Sequence, residues 1–90
     1  MAYPFMTLND ETEIVHSETL PDGRVRVYME TPDAKIGFRH ATCYLPGYEW
    51  EDVKGYTSKQ MAYLMELVES TAHLIIKYAK CGGYNHAAGV

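Results

Sequence analysis

The segment from Thr57 to Lys80 can only be a helix, and it follows nearly sixty residues that read as short strands and turns. Ser58 is placed to cap its start, Lys77 and Lys80 fall in its last turn, where they complement the helix dipole, and Gly82-Gly83 supplies the stop. At about 100° per residue, Met61, Leu64, Met65, Val68, Ala72, Ile75, Ile76 and Ala79 align as one apolar stripe, with Glu66, Glu69, Ser70, His73, Lys77 and Lys80 on the wet side. One such helix must cover one small sheet. The stripe is broader than a single sheet requires, because Tyr63, Leu67, Leu74 and Tyr78 extend it sideways. Their cover is expected from an N-terminal arm, from the loop before the helix, or from a second copy of the chain, in which case these four residues form a dimer face.

The strands are read from alternation and turn chemistry. Phe5 to Leu8 and Glu13 to Glu18 flank the turn signal Asn9-Asp10-Glu11 and form a hairpin. Pro21-Asp22-Gly23 turns the chain into Arg24 to Glu30, where Val25, Val27 and Met29 alternate with Arg24, Arg26, Tyr28 and Glu30, the two-residue period of a strand with one buried face. After Thr31-Pro32-Asp33, Ile36 to Leu45 alternates with less contrast between its faces and stops at Pro46-Gly47. Tyr48 to Tyr56 reads either as a loop or as a fifth strand. The fold class is therefore α+β: an antiparallel meander of four strands, five if Tyr48 to Tyr56 pairs, with one long C-terminal helix on one face (ββββα). Residues 1–90 make a single domain, with 1–4 expected as a flexible arm and 82–90 as a flexible tail.

Twelve acidic against eight basic residues give a formal net charge of −4, which disfavours nucleic acid and favours a basic partner. Arg24, Arg26, Lys35 and Arg39 form a local basic stretch; a nucleic-acid binder would need Arg24, Arg26 and Arg39 on one exposed face. The opening Met1 to Thr7 has no charged leader with a long apolar core, and no apolar run is long enough to span a bilayer, so a cytoplasmic protein without membrane attachment is expected. Cys43 and Cys81 are too few for a disulfide scaffold and are read as reduced thiols.

Four histidines and two cysteines raise a metal hypothesis, with His40-x-x-Cys43 and Cys81-x4-His86 as half-sites. Residues three apart on a strand point to opposite faces, so the first pair does not close on one ion, and no metal or cofactor is expected. Neither thiol has a local nucleophile signature, and Glu66, Glu69 and His73 sit on a solvated helix face. An enzymatic or small-molecule-binding domain would need a pocket between sheet and helix with Cys43, His40 or His73 pointing into it.

What remains is aromatic. Eight tyrosines and one tryptophan include Tyr44, Tyr48, Trp50 and Tyr56, interleaved with Glu49, Glu51 and Asp52. Such rings anchor interfaces, and the carboxylates would select a basic partner, so Tyr48, Trp50, Glu51 and Tyr56 are the expected partner-binding residues. The competing expectation is that Trp50 turns inward to cap a small core, flanked by Tyr48 and Tyr56.

The run Ala41 to Trp50, together with Glu69 to Ile75 and Thr7 to Ile14, resembles a family of small uncharacterised bacterial proteins, which implies no function. The strand ending in Leu45-Pro46-Gly47, followed by Gly55-Tyr56-Thr57 and a helix, is similar to the sheet-plus-helix domain of HicB-type antitoxins. Here Glu49 to Lys54 is inserted, and no following DNA-binding segment is expected. That resemblance implies an acidic protein that binds and masks a basic partner protein. Taken together, these readings make the chain a non-enzymatic protein-interaction or regulatory module.

Overall fold

The computed structural model describes residues 2–82 as five strands and one helix: β1 (Ala2–Thr7), β2 (Glu13–Ser17), β3 (Val25–Asp33), β4 (Gly37–Leu45), β5 (Glu49–Lys54) and α1 (Ser58–Cys81). The strands pair antiparallel in the order β1-β2-β3-β4-β5, each with its sequence neighbour, so the α+β meander is the architecture found. Tyr48 to Tyr56, readable from sequence as a loop or a strand, holds β5, whose Trp50 pairs with Cys43 and Glu51 with Thr42. Ala2 to Pro4, expected as an arm, pair with Val15 to Ser17 as the start of β1. The tail expected at 82–90 begins with Gly82, the left-handed C-cap of α1 at φ 77°; residues 83–90, His86 among them, lie outside the described residues.

The helix start differs from the expectation by one residue. Thr57, not Ser58, is the N-cap: its hydroxyl accepts from the Gln60 amide at 3.1 Å, and the Gln60 side chain accepts from the Thr57 amide at 2.8 Å. This reciprocal capping box satisfies two otherwise orphaned amides, and only a Gln or Glu three residues on can complete it. Counted from Ser58, the third residue is Met61, which has no acceptor to return.

α1 lies over β2 and β3. Leu64, Val68, Ala72, Ile75 and Ala79 are its buried residues, and they close onto Ile14 of β2, Val25, Val27 and Met29 of β3, and Ala41, Cys43 and Leu45 of β4. A helix is ~10 Å wide, whereas five strands at ~4.8 Å spacing span about 19 Å, so large side chains must fill the flanks. On the β4–β5 side Trp50, Tyr56, Met61 and Ile76 pack against the core. On the other side a bulge between Pro4 and Met6 inserts Phe5 into β1, and both Phe5 and Met6 reach the core. The Phe5 ring stands 6.2 Å from that of Tyr78, so the first strand itself covers part of the wide stripe. Leu67 also packs on the core, Leu74 is half-buried and Tyr63 stays 57 % exposed.

A buried histidine lies beside this core. His16 on β2 is 1 % exposed, with its Nδ1 2.9 Å from the Ser17 carbonyl and its ring 5.7 Å from that of Tyr3. Because a carbonyl can only accept, Nδ1 carries the proton, and Nε2 has no partner among the described residues.

Both sheet edges are blunted against strand addition. β1 carries Pro4 and the bulge, and β5 carries Glu49, Glu51, Asp52 and Lys54, with a register shift where Asp52 adopts φ 53°. Gly55 ends β5 at φ 88°, and a Cβ there would stand 2.8 Å from Ile36 Cδ1 and 2.9 Å from Arg39 Cγ, so only glycine lets the chain pass under the β3–β4 hairpin toward the helix.

The cap assignment is checked by two substitutions. Thr57→Ala should lower stability by about 1 kcal/mol in chemical denaturation, while Ser58→Ala leaves the midpoint within error; the opposite ranking would return the cap to Ser58.

Candidate functional site

The face of the sheet opposite α1 is covered by no element among the described residues. Strand parity determines who lies on it. Val25, Val27, Met29 and Thr31 point to the helix, so Arg24, Arg26, Tyr28, Glu30 and Pro32 point away, and the ladders carry that parity to every strand. Across the sheet one row is Val15, Tyr28, Thr42 and Glu51; beside it on one side lie Ser17, Arg26, Tyr44 and Glu49, and on the other Glu13, Glu30, His40 and Lys54.

Ring and charge contacts order this face. The Arg24 guanidinium sits 4.2 Å from the centre of the Tyr44 ring and the Arg26 guanidinium 5.5 Å from that of Tyr28. Tyr28 stacks on His40 at 6.4 Å and donates to Glu30 Oε2 at 3.0 Å. Burial, then this carboxylate, pushes the Tyr28 phenol above its ordinary range, so it remains a donor at neutral pH. Thr42 lies beneath the rings at 1 % exposure, its hydroxyl without a partner among the described residues. That burial explains why the two faces of β4 are weakly contrasted in sequence: rings cover one side and the helix the other.

Charge on the face is unevenly matched. Arg24 pairs with Asp22 at 2.7 Å and lies 3.7 Å from Glu49, whereas Arg26, Glu13, Glu30, Glu51 and Lys54 have no ion pair among the described residues. Glu13 and Glu30 are direct cross-strand partners. Like charges in that position repel unless a cation comes between them.

A second feature is a groove of about 290 Å³ where α1 begins, lined by Leu8, Asp10, Arg39, Tyr56, Lys59 and Tyr63 among others. Beneath it runs a chain of hydroxyls whose proton direction is forced. The Thr12 hydroxyl donates to Asp10 Oδ1 at 2.6 Å, so Thr12 must accept from Thr31, and Thr31 in turn from Tyr56 at 2.8 Å, whose proton is shared with the Arg39 carbonyl at 3.3 Å. The Thr12 hydroxyl holds the Asp10 carboxyl below its usual range, and burial pushes the Tyr56 phenol up. The network ties β2 and β3 to the residue that leads into α1.

The residues singled out from sequence are separated by the fold. Tyr48 is exposed at the β4–β5 turn with φ 54°, and Glu51 is exposed on the uncovered face. Trp50 and Tyr56 instead pack against the core, as the inward alternative anticipated for Trp50. Arg24 and Arg26 share the uncovered face, but Arg39 lies across from Thr31 on the helix side and donates from Nε to Asp33 at 2.8 Å, so the three arginines form no common patch. Sequence reading overlooked the uncovered face as a unit, although the Arg26-x-Tyr28-x-Glu30 alternation was its visible signal.

Cys43, His40 and His73 do not converge: Cys43 is fully buried on the helix side, His40 lies on the opposite face and His73 is on the outer surface of α1. Among the described residues, no three His, Cys, Asp or Glu side chains are grouped to hold a metal ion. No helix among them is long and apolar enough to cross a membrane.

Burial pushes the Cys43 thiol up to about 11, far from the range of an activated nucleophile. The raised folded value carries a sign: between the ordinary value near 9.0 and about 11 the unfolded chain gives up this proton first, so stability falls as pH rises through that window. Native-state alkylation at neutral pH should therefore modify exposed Cys81 and leave Cys43 unmodified until denaturant is added; rapid labelling of both thiols would contradict the buried placement. Compared with known proteins, the chain matches no family model, no curated protein and no solved structure.

Proposed function

We propose that this chain is a non-enzymatic protein-interaction module, bacterial and cytoplasmic, which acts by occupying the surface of another protein chain through its uncovered sheet face. The observation that carries this reading is the composition of that face: tyrosines held in place by arginines and histidine, around them several charges that have no ion pair within the described residues. Rings fixed in this way give contact area with little entropy left to lose, and unpaired carboxylates at Glu13, Glu30 and Glu51 select basic side chains. The resemblance to HicB-type antitoxins, which implies an acidic protein masking a basic one, agrees with that preference. Tyr48 and Glu51 belong to the rim of the surface; Trp50 and Tyr56 support it from behind.

A second reading, a small-molecule binder, is favoured by the groove at the start of α1, where Arg39, Tyr56 and Lys59 converge. Its volume lies at the bottom of the range of ligand sites. A thermal-shift screen against small anions tests it directly, and no displacement of the midpoint would close it.

For the interaction reading, tagged protein is used to capture chains from source cells. Tyr48→Ala and Glu51→Lys should each weaken capture of the specific partner by about tenfold with the thermal midpoint unchanged, and Glu66→Lys on the outer helix surface should not. Trp50→Ala should lower the midpoint instead. Equal capture by all variants would remove the sheet face as the binding surface.

A further inference from the structure

The uncovered face is complementary to itself. This inference deepens the reading of that face as a binding surface, rests on it, and concerns its occupant. Along β3 the outward residues run Arg24, Arg26, Tyr28, Glu30, so a basic end and an acidic end are separated by a tyrosine. On β5 the order is reversed, with Glu49 level with Arg26 and Lys54 level with Glu30. We propose that the occupant is a second copy of this chain, laid face to face with its strands antiparallel to those of the first, about a two-fold axis that crosses the strands along the row of Val15, Tyr28, Thr42 and Glu51.

Symmetry leaves two simple choices for pairing identical sheets, and charge decides between them. A two-fold axis along the strands keeps each row opposite itself, so Arg26 would meet the partner subunit's Arg26 and Glu30 the partner subunit's Glu30. An axis across the strands exchanges the ends. Arg26 then meets the partner subunit's Glu30, Glu49 meets the partner subunit's Lys54, and Tyr28 meets the partner subunit's Tyr28, each contact occurring twice as an isologous interface requires. Arg26, Glu30 and Lys54 thereby gain partners and the repulsion between Glu13 and Glu30 is relieved by an incoming guanidinium, whereas Glu51, on the axis row, comes opposite the partner subunit's Glu51. Strand spacing and rise give a footprint of roughly 20 by 17 Å per copy, below the standard size of specific interfaces and in the class of weak, transient ones. The dimer is therefore weak, concentration-dependent and sensitive to salt.

Sedimentation of the full chain over a wide concentration range, at low and high salt, reads the assembly. The expected result is a reversible dimer that weakens at high salt. Arg26→Glu and Glu30→Arg should each weaken self-association at least about tenfold, whereas an equimolar mixture of the two variants should form a heterodimer, because both cross-interface contacts then pair a Glu with an Arg. Restoration by mixing also shows that both variants are folded. A wild-type chain that is monomeric at every concentration overturns the proposal, as does a dimer indifferent to both substitutions, which would sit elsewhere, on the Tyr63, Leu67, Leu74 and Tyr78 flank for example. If the wild type is monomeric but Glu51→Lys still abolishes capture of another protein, this inference fails and the reading of the face as a binding surface stands.

Discussion

The structure depends on a mismatch of widths. A single helix buries Leu64, Val68, Ala72, Ile75 and Ala79 against a sheet that is about twice as broad as the helix. Everything at the margins follows from it. Phe5 and Met6 are both turned inward by a bulge on one side, and Trp50 and Tyr56 close the other, because alanine-sized groups there would leave the outer strands open to water. The aromatic richness of the chain is thus divided between two tasks, sealing a core that one helix cannot cover and furnishing the face that no helix covers at all.

The end of the molecule where α1 starts is held by polar rather than apolar contacts. The hydroxyl chain from Tyr56 through Thr31 and Thr12 to Asp10 joins strands to the helix entry, and the Arg39–Asp33 pair braces the β3–β4 hairpin beside it. With Gly55 passing close under Ile36 and Arg39, the first turn of α1 is fixed in position relative to the sheet.

Much of the fold was legible residue by residue. β3 was readable because Val25, Val27 and Met29 alternate with polar residues, and α1 because its apolar positions recur at helical spacing. β5 was undecided because Asp52 sits in a bulge, which shifts the alternation partway along the strand. The cap lies one residue before the expected Ser58 because Thr57 and Ser58 are equally good capping types, and only Gln60, three residues after Thr57, distinguishes them. The candidate site was less legible. Tyr48, Trp50, Glu51 and Tyr56 are neighbours in sequence, yet strand parity sends Trp50 to the core and Glu51 to the opposite face, and Arg39 parts from Arg24 and Arg26 for the same reason.

By itself the sequence determined the order of elements, the layer architecture and the acidic balance, since periodicity, turn residues and charge are local properties that do not need a partner strand to be read. Only the tertiary structure decided which side chains share a surface. A one-residue difference in pairing register moves a strand's entire side-chain set from one face to the other, so the grouping of Arg26, Tyr28, Glu30, His40, Tyr44 and Glu51 exists only once all five strands are aligned.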